Sequence, residues 1–119
     1  MALAANIVIA LVALLHLLFL VLEMFLWTRS LGRKIFRQTA EAAQASKVLA
    51  ANQGLYKGFL AAGLVWGLCL GAVGFEVKVF FLVCVVVAGV FGAATASRSI
   101  LFVQALPAAV GLALLLVSR

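Results

Sequence analysis

Four stretches of this chain carry no formal charge: Met1–Leu22, Gly58–Phe75, Val79–Ser97 and Ser99–Ser118. Crossing the hydrocarbon of a bilayer takes about 20 apolar residues. A water-soluble domain of 119 residues, 68% of them hydrophobic and only 10% charged, has too little interior to hide so much apolar surface. The bilayer is therefore the expected solvent. In hydrocarbon each backbone N–H and C=O must be bonded within the protein, so each run is expected to be helix, including the third, rich in Val and Phe. The first run has no basic start and is too long for the core of a cleaved leader, so it reads as a retained helix. The expected fold is all-α: one integral membrane four-helix bundle, with spans near 3–27, 48–74, 79–97 and 99–117 and a polar loop at 28–47.

Lys and Arg set the expected orientation. Arg29, Arg33, Lys34, Arg37 and Lys47 fall in or beside the polar loop, and Arg98 lies on the same side. Lys78 and Arg119 lie on the other. Cytoplasmic segments collect such cations, so the first loop is expected in the cytoplasm and both termini outside. The net charge of +6 is thus accounted for by loop placement. It is not interleaved with aromatics on a soluble face, and no nucleic-acid partner is expected. Cys69 and Cys84 sit within apolar runs with no spacing typical of zinc, haem or redox sites, so no metal and no cofactor are expected.

Local signals divide the runs. Thr39 is a candidate N-cap for a helix that leads into the second span. Gly54/Gly58 and Gly63/Gly67/Gly71 form ridges of small residues along which helices can approach closely. Gly74 to Lys78 reads as a tight turn. Pro107 removes one backbone donor and is expected to kink the fourth helix near the carbonyl of Val103.

A polar side chain inside a span is costly, which makes each one a candidate for function. His16 and Glu23 are seven residues apart, two helical turns, and share a face of the first helix. Glu23, Gln53 and Gln104 each lie six residues from a cytoplasmic cation (Arg29, Lys47 and Arg98). At 1.5 Å per residue all three fall roughly 9 Å below one membrane face. The expected ligand-binding set is His16, Glu23, Asn52, Gln53, Tyr56, Lys57 and Gln104. Glu23 pairs with Lys57 or accepts from Asn52 and Gln53, and His16 lies beyond it. The same residues also fit a structural role, with Lys57 reaching toward the cytoplasm and the amides joining helices.

The segment Asn52-Gln53-Gly54-Leu55-Tyr56-Lys57-Gly58-Phe59-Leu60-Ala61 stands with His16, Glu23 and Trp27 before it and Gln104-Ala105-Leu106-Pro107-Ala108 after it. Together they resemble a family of small bacterial membrane proteins, domain of unknown function 1304. The resemblance covers nearly the whole chain. It implies four helices and residence in the bacterial plasma (inner) membrane, and no settled activity. The family pattern often has Asn at the position of Lys57. This chain departs there, which weakens any role that requires a lysine. Small multidrug transporters share the size, the four helices and a buried glutamate in helix one, but not the polar cluster on helix two.

Three functional classes follow as expectations. The first is binding or transport of a small apolar or amphipathic ligand at the Glu23 level. The second is an accessory subunit, packed by its glycine ridges as a homo-oligomer or against a partner membrane protein, with lipids around it. The third is a metal-free membrane enzyme acting on a lipid-like substrate, with His16 and Glu23 as acid and base. No catalytic residue is assigned outside that last class, and the balance leans away from an enzyme.

Overall fold

A computed structural model describes residues 1–96 and 98–119. The expected end of the third span at Ser97 lies outside the described residues. All its elements are helical. They are α1 (Ala2–Met24), α2 (Ser30–Phe36), α3 (Ala40–Cys69), a 3-10 turn (Gly71–Gly74), α4 (Phe75–Thr95), a π-turn (Leu101–Ala105) and α5 (Leu106–Val117). Two stretches, Ala2–Met24 and Gly71–Thr95, are long and apolar enough to cross a membrane; Leu101–Val117 is apolar but shorter.

Each long helix is apolar on more than one face. On α1, Leu3, Ile7, Leu11, Leu14, Leu18 and Val21 form an exposed stripe at helical spacing, while Ala5, Ile9, Val12, His16 and Glu23 form the buried one. A helix of a soluble protein would put polar residues on the first stripe. Here the inner stripe is marked by the polar His16 and Glu23 and by small Ala5 beside large Ile9 and Val12.

The chain divides into two compact units. The first joins residues 1–14 to 60–119. Ile9, Val12, Leu64, Leu82 and Val85 fill its core, and Ala5, Ala13, Ala61 and Ala108 let the helices close around them. Gly63 faces the Phe81 ring, and Gly67 lies against Lys78 and Val77, so this part of the glycine ridge is used between α3 and α4. At Gly89 an added Cβ would stand 2.7 Å from the backbone nitrogen of Ala105, which fixes how closely α4 meets the π-turn.

The second unit is residues 15–59: the end of α1, α2 and the first part of α3. The Thr39 hydroxyl accepts from the Ala42 N–H at 3.1 Å, capping α3. From there α3 runs unbroken for 30 residues. Trp27 follows the end of α1 and donates its indole N–H to Ser46 Oγ at 3.0 Å. Its ring meets Phe36 at 4.8 Å, and Phe36 meets Phe19 at 6.3 Å, so one aromatic cluster ties α1, α2 and α3 together.

Two local features differ from the sequence reading. The chain reverses at Leu70–Gly74 rather than Gly74–Lys78, so Glu76 and Lys78 ride the first turn of α4. Gly71 makes this possible by taking φ +63°, a conformation in which any side chain would be strained. A carboxylate at Glu76 then suits the N-terminal end of the α4 dipole. The break near Pro107 is a π-turn: the Leu106 N–H reaches back to the carbonyl of Leu101. Pro107 has no N–H to offer Val103, so the helix widens by one residue just before it.

Replacing Gly89 with Val drives a side chain into backbone and is expected to cost about 1–3 kcal/mol. Gly92→Ala meets only side-chain atoms of Ile100, the nearest at 3.1 Å, and costs less. Thermal unfolding of both variants in one detergent checks this; equal midpoints would contradict the packing.

Candidate functional site

The second unit holds one ion pair between α1 and α3. Lys57 Nζ contacts Glu23 Oε1 at 2.6 Å and Oε2 at 3.0 Å, a two-oxygen grip on one ammonium. Glu23 is 4% exposed. The ammonium also lies 5.0 Å from the centre of the Phe19 ring, which adds a cation–π contact. Glycine makes the approach possible. A Cβ at Gly54 would stand 2.8 Å from Met24 Cγ and 3.2 Å from Glu23 Cβ, and at Gly58 one would stand 2.5 Å from Leu20 Cδ1. The Gly54/Gly58 ridge therefore seats α3 on α1 and brings Lys57 to Glu23.

The other predicted site residues divide. His16 is buried on the same stripe of α1 as Glu23. Two turns separate them by about 10 Å of rise, so a proton passing between them needs an intervening group. Tyr56 is half-buried beside Lys57 in sequence. Asn52 and Gln53 are exposed on α3. Lys57, one of the partners expected for Glu23, is the one beside it. Gln104 is buried, but in the first unit, within the π-turn. Cys69 and Cys84 are free thiols.

Gly54, Gly58, Gly63 and Gly67 meet residues of this same chain, the close helix approach expected of such ridges.

One polar pair escapes sequence reasoning. Lys78 is 5% exposed and donates to Asn6 Oδ1 at 3.1 Å. Reading Lys78 as part of a turn hides its burial. The available signal is Asn6, a lone amide within an otherwise apolar first run. An amide there needs a partner, and a lysine at the start of α4 can supply one.

Helices apolar on several faces, joined by glycine contacts and carrying a buried ion pair, define a small all-α protein with helices long enough to cross a membrane. The chain belongs to the family of proteins of unknown function DUF1304, whose sequence model matches residues 10–116. No curated protein and no solved structure matches it.

The pair sets a clear energetic expectation. Removing one partner leaves a buried charge uncompensated, at a cost of about 3–5 kcal/mol, whereas replacing both with apolar groups of similar size is close to neutral. Glu23→Gln and Lys57→Met should each lower the unfolding midpoint strongly, and the double variant should recover most of the loss. Additive losses in that cycle would mean the two groups do not depend on each other.

Proposed function

We propose that this chain is a multi-pass protein of the bacterial plasma membrane. In this reading it crosses the bilayer four times, with the first loop in the cytoplasm and both termini outside. It binds or moves a small amphipathic ligand at the Glu23–Lys57 pair. The observation that carries the reading is the pair itself: two full charges held together on helices whose outward faces are apolar. Groups of that kind inside a membrane mark substrate and ion pathways by default. A cationic ligand can compete with Lys57 for Glu23, and the site stays neutral when the displaced ammonium turns out toward water on its flexible stem. His16 extends the polar track two turns further along α1.

The orientation rests on the cations of the first loop and on Arg98. A cysteine introduced at Ser30 should react with a membrane-impermeant maleimide in inverted vesicles and not in intact spheroplasts. The reverse pattern would overturn the orientation.

Asn52 and Gln53 favour a second reading. Two amides exposed on a helix among Val48, Leu49, Leu55 and Phe59 can bond to a helix of another membrane protein. The chain would then be a subunit of a larger complex, docked by this face of α3 and not by its glycines. The third class, an enzyme using His16 and Glu23, has weaker support because Lys57 occupies both oxygens of Glu23.

Native mass spectrometry after gentle extraction separates the first two readings. A small bound mass, lost in the Glu23→Gln/Lys57→Met double variant while the protein stays folded, supports ligand binding. A co-purifying polypeptide that is lost with Asn52→Leu, and no small mass, favours the subunit.

A further inference from the structure

The first unit holds a second polar centre, independent of Glu23. A cavity of about 640 Å³ opens between the start of α1, the 3-10 turn, the first turn of α4 and the end of α5. Its size falls in the range of small-ligand pockets, about 300–1,000 Å³. Lys78 and Asn6 line it, and so do Glu76 and Arg119 at their exposed positions. Phe75 and Leu115 supply apolar wall.

Lys78 is the unusual member. An ammonium carries three donors. The Asn6 carbonyl oxygen takes one of them, and among the described residues no carboxylate lies within ion-pair distance of this nitrogen. A buried cation satisfied only by a neutral amide is costly, and such cations are normally paired. Glu76 lines the same cavity but is exposed. The position of Lys78 is also closely held. Its stem packs on Gly67, where a Cβ would stand 2.8 Å from Lys78 Cγ. Arg119 is a second cation at the cavity, placed by its contact over the Phe75 ring at 4.4 Å.

We propose that this cavity binds the oxyanion head of a single-chain amphiphile, a carboxylate or a phosphate monoester. The head lies against the two unused donors of Lys78, with the Arg119 guanidinium closing on it from the side. The apolar tail leaves along Phe75 and Leu115. The anion supplies the counter-charge that Lys78 lacks, and Asn6 holds the ammonium in place as the ligand comes and goes. The source of the head is open to measurement, because a fatty carboxylate and an alkyl phosphate offer the same acceptors to the same donors.

The purified full chain in neutral detergent is titrated with decanoate, dodecyl phosphate and dodecanol by isothermal calorimetry. Either anion binds and dodecanol does not; the tighter of the two anions identifies the head. Asn6→Asp gives Lys78 an internal carboxylate at the position of the present hydrogen bond. That variant should be at least as stable as the parent and should bind the anions at least about tenfold more weakly. Arg119→Gln changes an exposed side chain, keeps the fold and weakens binding several-fold. The Glu23→Gln/Lys57→Met variant keeps anion binding, which separates this cavity from the Glu23 site. Dodecanol binding as well as decanoate, no binding of either anion, or full anion affinity in Asn6→Asp would each overturn the proposal.

Discussion

When helices are apolar on every face, hydrophobicity cannot tell inside from outside, and the closeness of packing at the contacts has to. Association then depends on how closely backbones can approach, because dispersion falls steeply with distance. This chain follows that rule. Alanine and glycine stand at the contacts (Ala5, Ala13, Ala61, Gly63, Gly89, Ala108), while Leu3, Leu11, Phe80 and Phe91 point away. The polar groups rely on the same rule. Lys57 can meet Glu23 only because Gly54 and Gly58 let α3 settle on α1, and Lys78 has room for its stem only because residue 67 has none.

Half-buried Lys57 and buried Lys78 are handled differently. Lys57 is matched charge for charge by both oxygens of Glu23 and by the face of Phe19. Lys78 is met by one amide oxygen and opens on a cavity. The first arrangement is complete as it stands. The second is met by a neutral group alone and stands in the wall of a space that a ligand can enter.

The legibility of these features in sequence followed the range of the interaction. The Thr39 cap joins residues three apart and is plain in the sequence. The shared face of His16 and Glu23 needs only the helical period. The Glu23–Lys57 pair is also within reach of sequence, since a buried carboxylate and a lysine on adjacent helices have few other partners. Rotation of α3 is different. Depth along an axis places Gln53 level with Glu23, but which side faces α1 is decided by where glycine permits contact, and that turns Asn52 and Gln53 outward. The reversal at Leu70–Gly74 depends on one residue with positive φ, and a glycine in an apolar run signals close packing just as well as a turn. Lys78 is missed for that reason: moving the turn by a few residues carries it from a loop into a helix.

The π-turn ahead of Pro107 also bears on register. It is equivalent to one extra residue inserted in an α-helix, and a residue inserted there rotates all that follows by about 100° and advances it by about 1.5 Å. With that offset, Ala108, Gly111 and Leu115 lie on the inner side of α5. Were the segment to relax to ordinary α-helical bonding, the same three positions would swing toward the outside, and Val110 and Leu114 would take the places of Gly111 and Leu115. The five residues Leu101–Ala105 thus act as a phase setting for the last helix, holding its small side chains in step with the core.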